Sequence, residues 1–83
     1  MRRWRIIYVK SSERAKEIEK LLSEFDDSRI ATDIYGEVIL DNNRYVVQCR
    51  ATHTDFDPWI DKLGLMEVKC YNTRRHYILK EEI

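Results

Sequence analysis

The chain has 83 residues, 43% of them hydrophobic, with 15 basic and 15 acidic residues and a formal net charge of zero. A chain this short buries only about 60% of its unfolded surface, so it is expected to form one domain over residues 1–83 with modest stability. Zero net charge excludes a whole-molecule field that draws in nucleic acid, and any such site must be a local patch.

No apolar run approaches the roughly 20 residues of a membrane span, and no leader-like segment follows the basic MRRWR start. A soluble, uncleaved protein with no membrane association is expected. The two cysteines, Cys49 and Cys70, lack the dense spacing of a disulfide framework, which points to a reducing cytoplasm and to small buried hydrophobes.

Arg3 to Lys10 reads as a strand with Trp4, Ile6 and Tyr8 on one side and Arg5, Ile7 and Val9 on the other. Both sides are apolar in the middle, so this strand is expected at the centre of a sheet. Ser11 or Ser12 offers an N-cap hydroxyl, and Ala15, Ile18, Leu21, Leu22 and Phe25 recur at helical spacing opposite a charged face. Asp26-Asp27-Ser28 closes this helix. Arg29 to Leu40 reads as extended, with Ile30, Ile34 and Val38 inward and Gly36 at a bulge or turn, and Asp41-Asn42-Asn43 returns it by a hairpin.

Arg44 to Thr52 is the strand around which the rest is arranged. Alternation places Tyr45, Val47, Cys49 and Ala51 on the core side and Arg44, Val46, Gln48, Arg50 and Thr52 on the other. Two arginines and a glutamine on one side argue for helices on one face only. Asp57 as N-cap and Pro58 at the first helical position announce a short second helix, with Trp59, Ile60 and Leu63 inward and Gly64 at its left-handed end. Met66 to Leu79 reads as strand-like, with a bend or weak hairpin at Asn72-Thr73, and Lys80 to Ile83 as a frayed tail.

This order predicts an α+β domain of the ferredoxin-like βαββαβ kind: an antiparallel sheet with two helices on one face and the other face open. The first and third strands are expected to be central and parallel, with the last strand antiparallel beside the first. A meander with one packed helix is the competing layout.

The sequence offers no strong catalytic signature, and a non-enzymatic protein is expected. His53, Asp55 and Asp57 form an H-x-D-x-D string that matches no established metal spacing, and helix capping accounts for its carboxylates, so neither metal nor cofactor is expected. Neither histidine is placed by sequence to activate a thiol. With only Gly36 and Gly64 there is no glycine-rich phosphate loop.

Two surfaces stand out. The predicted open face carries Trp4, Ile6, Tyr8, Val46 and Tyr71, ringed by Arg44, Gln48 and Arg50, the pattern of an apolar interface with a polar rim. Separately, Arg2, Arg3 and Arg5 converge with Arg74, Arg75 and His76 into a basic patch, although Glu81 and Glu82 and the protection of sheet edges account for much of it. The leading functional expectation is a protein-binding module acting through the open face. It is either a homodimer or a stand-alone inhibitor or adaptor, the format of small antagonists carried by viruses and mobile elements. The alternative is single-stranded RNA or DNA binding, with Trp4, Tyr8 and Tyr71 stacking bases over the arginine patch; the aromatic motif of common RNA readers is absent.

Overall fold

In the computed structural model the described residues are 1–25, 29–31, 45–71 and 74–83, with the side chains of 29–31 and 69–71 left aside. The order is β1 (Arg3–Val9), α1 (Ser12–Leu21), β2 (Arg29–Ala31), β3 (Tyr45–Ala51), α2 (His53–Leu63), β4 (Leu65–Tyr71), β5 (Arg74–Leu79) and a closing 3-10 turn, Lys80–Glu82. The first six elements follow the ferredoxin-like βαββαβ succession, and the fold is α+β. The sheet runs β2-β3-β1-β5-β4.

Two corrections to the expected pairing follow. β1 runs antiparallel to β3, not parallel, with Ile7 opposite Val47. The last strand lies beside β1 as expected, but parallel to it, with Arg5 opposite Arg75, so the sheet is mixed. For the last strand the cause is chain length. Residues 66–79 as one strand would reach about 45 Å at roughly 3.3 Å per residue, against a longest molecular dimension of 31 Å. The segment forms two strands instead: β4 and β5 pair antiparallel, with a register shift between Glu67 and Lys69, while the expected bend at Asn72-Thr73 lies outside the described residues. That reversal inserts β5 between β1 and β4 and turns it parallel to β1.

Alternation holds in each central strand. Ile7, Val9, Val47, Cys49, Ala51, Tyr77 and Leu79 meet Ala15, Ile18 and Leu22 of α1 and its end, and Phe56 and Leu63 of α2, in one core. Both helices therefore pack on the same side of the sheet. Phe56, absent from the sequence-predicted core, stands at its centre, 5.3 Å from the Tyr77 ring and 6.4 Å from Phe25 between centroids. Leu21, predicted inward, is exposed.

α1 starts on Ser11, whose hydroxyl accepts from Arg14 N, and stops at Leu22. α2 starts earlier than predicted: Thr52 is the N-cap, accepting from Asp55 N at 3.1 Å, and Pro58 lies inside the helix, not at its first position. Thr52 ends the strand in extended geometry and so supplies the cap five residues before Asp57 is reached. Gly64 does close the helix in the left-handed region, at φ 68.

The C-terminal end is not frayed. Glu82 carboxylate oxygens accept from Lys10 N at 3.1 and 3.2 Å, Lys10 Nζ donates to the Glu82 carbonyl at 2.7 Å, and Arg14 pairs with Glu81 at 2.7 Å. Charged groups at the end of β1 and the start of α1 anchor it. The predicted elements at Ile34, Gly36, Val38 and Asp41 to Asn43 lie outside the described residues.

Candidate functional site

On the face away from the helices, Ile6, Tyr8 and Val46 form a second cluster with Ile78 packed against it. This is the side to which alternation assigned them. Their exposure is the correction: Tyr8 and Val46 are fully buried, Ile6 is 1% exposed, and Gln48, expected on a polar rim, is 2% exposed. These side chains are already out of water in the single chain. The Tyr8 hydroxyl and His76 Nδ1 lie 2.7 Å apart, and the two rings stack. A buried imidazole needs such a partner, which is why His76 belongs to the interior and not to a basic surface. Arg44 lies outside the described residues, as does the side chain of Tyr71.

Among the described residues expected at the interface, Trp4 and Arg50 retain exposure. Each is half-buried, and the Arg50 guanidinium lies 5.9 Å from the Trp4 ring centroid. Trp4 sits between Arg50 on β3 and Arg74 on β5 in the strand register. Arg2, exposed, donates to the Arg50 carbonyl at 3.3 Å.

The arginines do converge, because parallel β1 and β5 begin side by side, but alternation divides them. Arg74 shares the Trp4 side, whereas Arg3, Arg5 and Arg75 fall on the helix side. There they line a cavity of about 520 Å³ with Tyr77 at its wall. His53, Asp57 and Ile60 of α2 form the facing wall, and Met1 and Glu67 stand at its edge.

Arg5 is the unusual member. It is 2% exposed, donates from Nε to the Ala51 carbonyl at 3.3 Å and from Nη1 to the Tyr77 hydroxyl at 2.9 Å, and lies 5.1 Å over the Phe56 ring. Its Nη2 is buried without a hydrogen-bond partner. Arg75, half-buried, is tied to Glu67 at 2.9 Å. Burial pushes the Tyr77 hydroxyl above its ordinary pKa, with the Arg5 hydrogen bond opposing. Burial likewise pushes the Cys49 thiol up to about 12, again opposed by Arg5. Such a thiol stays protonated and is a poor nucleophile at neutral pH. Cys49 and Cys70 are separated in the sheet by β1 and β5, roughly 14 Å at the usual strand spacing, beyond disulfide reach.

His53 and Asp57 meet at the cavity through their one-turn spacing on α2, but among the described residues no group of three or more His, Cys, Asp or Glu side chains could hold a metal. Tyr77 and Phe56, which hold Arg5, were not singled out from sequence. The available signal was Arg5 itself, a charged residue sharing the core side of β1 with Ile7 and Val9. No helix among the described residues is long and apolar enough to cross a membrane. The chain matches no known protein family, no curated protein and no solved structure at a significant level.

Proposed function

We propose that this chain is a small non-enzymatic binding module that docks an acidic protein surface through the Trp4 end of the sheet. The observation that carries this reading is the half-buried Trp4 with the Arg50 guanidinium at 5.9 Å and Arg74 on the strand at its other side. Tryptophan and arginine dominate the energetics of protein interfaces. The neutral net charge favours a short-range protein contact over a long polyanion, whose capture needs a row of phosphate contacts. A two-fold dimer through Ile6, Tyr8 and Val46 gains nothing from covering side chains that are already buried. An inhibitor or adaptor role fits the same docking end, as does a cytoplasmic setting. Base stacking is the weaker reading, since Tyr8 is buried and offers no second platform.

The test is a fluorescence titration in a Trp59→Phe background, which leaves Trp4 as the reporter. Oligoglutamate should quench Trp4 saturably, less so as salt rises, and Arg50→Ala with Arg74→Ala should abolish the response. Tighter saturable binding of oligothymidylate would turn the assignment to nucleic acid, and silence toward both ligands would reject this end as the docking site.

A further inference from the structure

The cavity on the helix side of the sheet is independent of the Trp4 end and faces the other way. We propose that it is a binding site for a single carboxylate group, with Arg5 as its buried receptor.

The first argument is the cost of Arg5. A guanidinium that is 2% exposed is normally retained only where a carboxylate compensates it, because a buried charge without a counter-ion is expensive. Two of its nitrogens are committed, to the Ala51 carbonyl and the Tyr77 hydroxyl, and both partners are neutral. Those bonds, with the Phe56 ring beneath, fix the plane of the guanidinium. Nη2 alone lacks an acceptor, so the side chain is held rigidly with one donor group unspent.

The second argument is the space beside it. About 520 Å³ lies within the range of roughly 300–1,000 Å³ in which small-ligand pockets fall. Tyr77 and Ile60 give it apolar wall, and Arg3 adds a second cation that no described carboxylate neutralises through an ion pair.

The third argument sets the ligand class. Asp57 and Glu67 share the walls of the cavity, and Glu67 already occupies Arg75. Two fixed negative charges at the walls repel a phosphate dianion or a polyanion track more than a singly charged group. A carboxylate oxygen accepts one N–H of Nη2 and leaves the ligand's apolar remainder for Ile60 and Tyr77.

The experiment is a titration of the wild-type chain, followed by the NMR signal of the Arg5 Nε–H at constant ionic strength. Sodium propionate, inorganic phosphate and oligoglutamate are the three probes. Propionate should move the Arg5 signal saturably and at least tenfold more tightly than phosphate, while the Arg14 signal, tied to Glu81, stays still. Arg3→Gln should weaken propionate severalfold in a chain whose fold is unchanged. Propionate should raise the thermal midpoint of the wild-type chain and leave that of Arg5→Met unmoved. Saturation by oligoglutamate without propionate would overturn the assignment to a single carboxylate, since the wall charges disfavour a polyanion. Preference for phosphate, or shifts of Arg5 that track chloride equally, would overturn it. A lost response to oligoglutamate at Trp4 with an intact response to propionate at Arg5 would reject the docking end and leave this site standing.

Discussion

The two sides of β1 differ in what their buried polar groups have for company. On the far side Tyr8 and His76 answer each other, hydroxyl to imidazole at 2.7 Å, within a small apolar cluster. On the helix side Arg5 sits in the larger core with two neutral partners and one nitrogen left over, next to a cavity. A polar pair that hydrogen-bonds within itself inside an apolar cluster is a structural device. An unsatisfied charge beside open space is costly to the fold, and that cost is the physical mark of a binding position. Arginine content alone would not separate the two sides, since both carry arginines at the same end of the sheet.

The largest expected effect tests whether the far side is interior. Val46→Lys should cost on the order of 4 kcal/mol or more, a large share of what a domain this size possesses, because the ammonium would replace a fully buried methyl pair. Urea denaturation measures it, and a near-neutral result would show that this face opens to water.

Alkaline pH probes the helix side. Cys49, raised from 9.0 to about 12, and Tyr77, raised above 10.0, are both neutral in the fold. Their contribution is whole below pH 9 and is lost as pH rises through the folded values. Stability should be flat from pH 7 to 9 and then fall by about 1.4 kcal/mol per pH unit from Cys49 alone. Cys49→Ala should flatten the upper part of that curve in pH-dependent denaturation.

Tyr8→Phe removes one member of the far-side pair and should cost about 1–2 kcal/mol, since it strands a buried imidazole nitrogen. A comparable loss in a His76→Phe, Tyr8→Phe double variant would show that the pair adds nothing beyond packing. The smallest effects belong to neighbours on opposite sides. Arg74→Ala and Arg75→Ala should each shift stability by less than about 1 kcal/mol, as exposed or half-exposed cations do, yet only Arg74→Ala should weaken an acidic partner at Trp4.

Much of the secondary structure was legible because it is written in local periodicities. Alternation alone divided β1 and β3 into their two sides, and helical spacing placed Ala15, Ile18 and Leu22 inward. Caps were less secure: Thr52 displaced Asp57 because the end of a strand, rather than composition, fixes where a hydroxyl meets free backbone N–H groups. The tail was misread for a similar reason, as Glu81 and Glu82 find their partners at Arg14 and Lys10, far away in sequence.

What the sequence by itself determined was the α+β class, the βαββαβ succession and the side to which each central residue points, because each follows from the pitch of a strand or helix. Tertiary structure alone decided the parallel pairing of β1 with β5, the burial of Tyr8 and Val46, and the division of the arginines between two faces. These depend on how strands 70 residues apart lie against one another, and on which polar groups that pairing satisfies. The lone nitrogen of Arg5 is the clearest case: its position on the core side could be read from alternation, but its want of a partner exists only once Ala51, Phe56 and Tyr77 have closed around it.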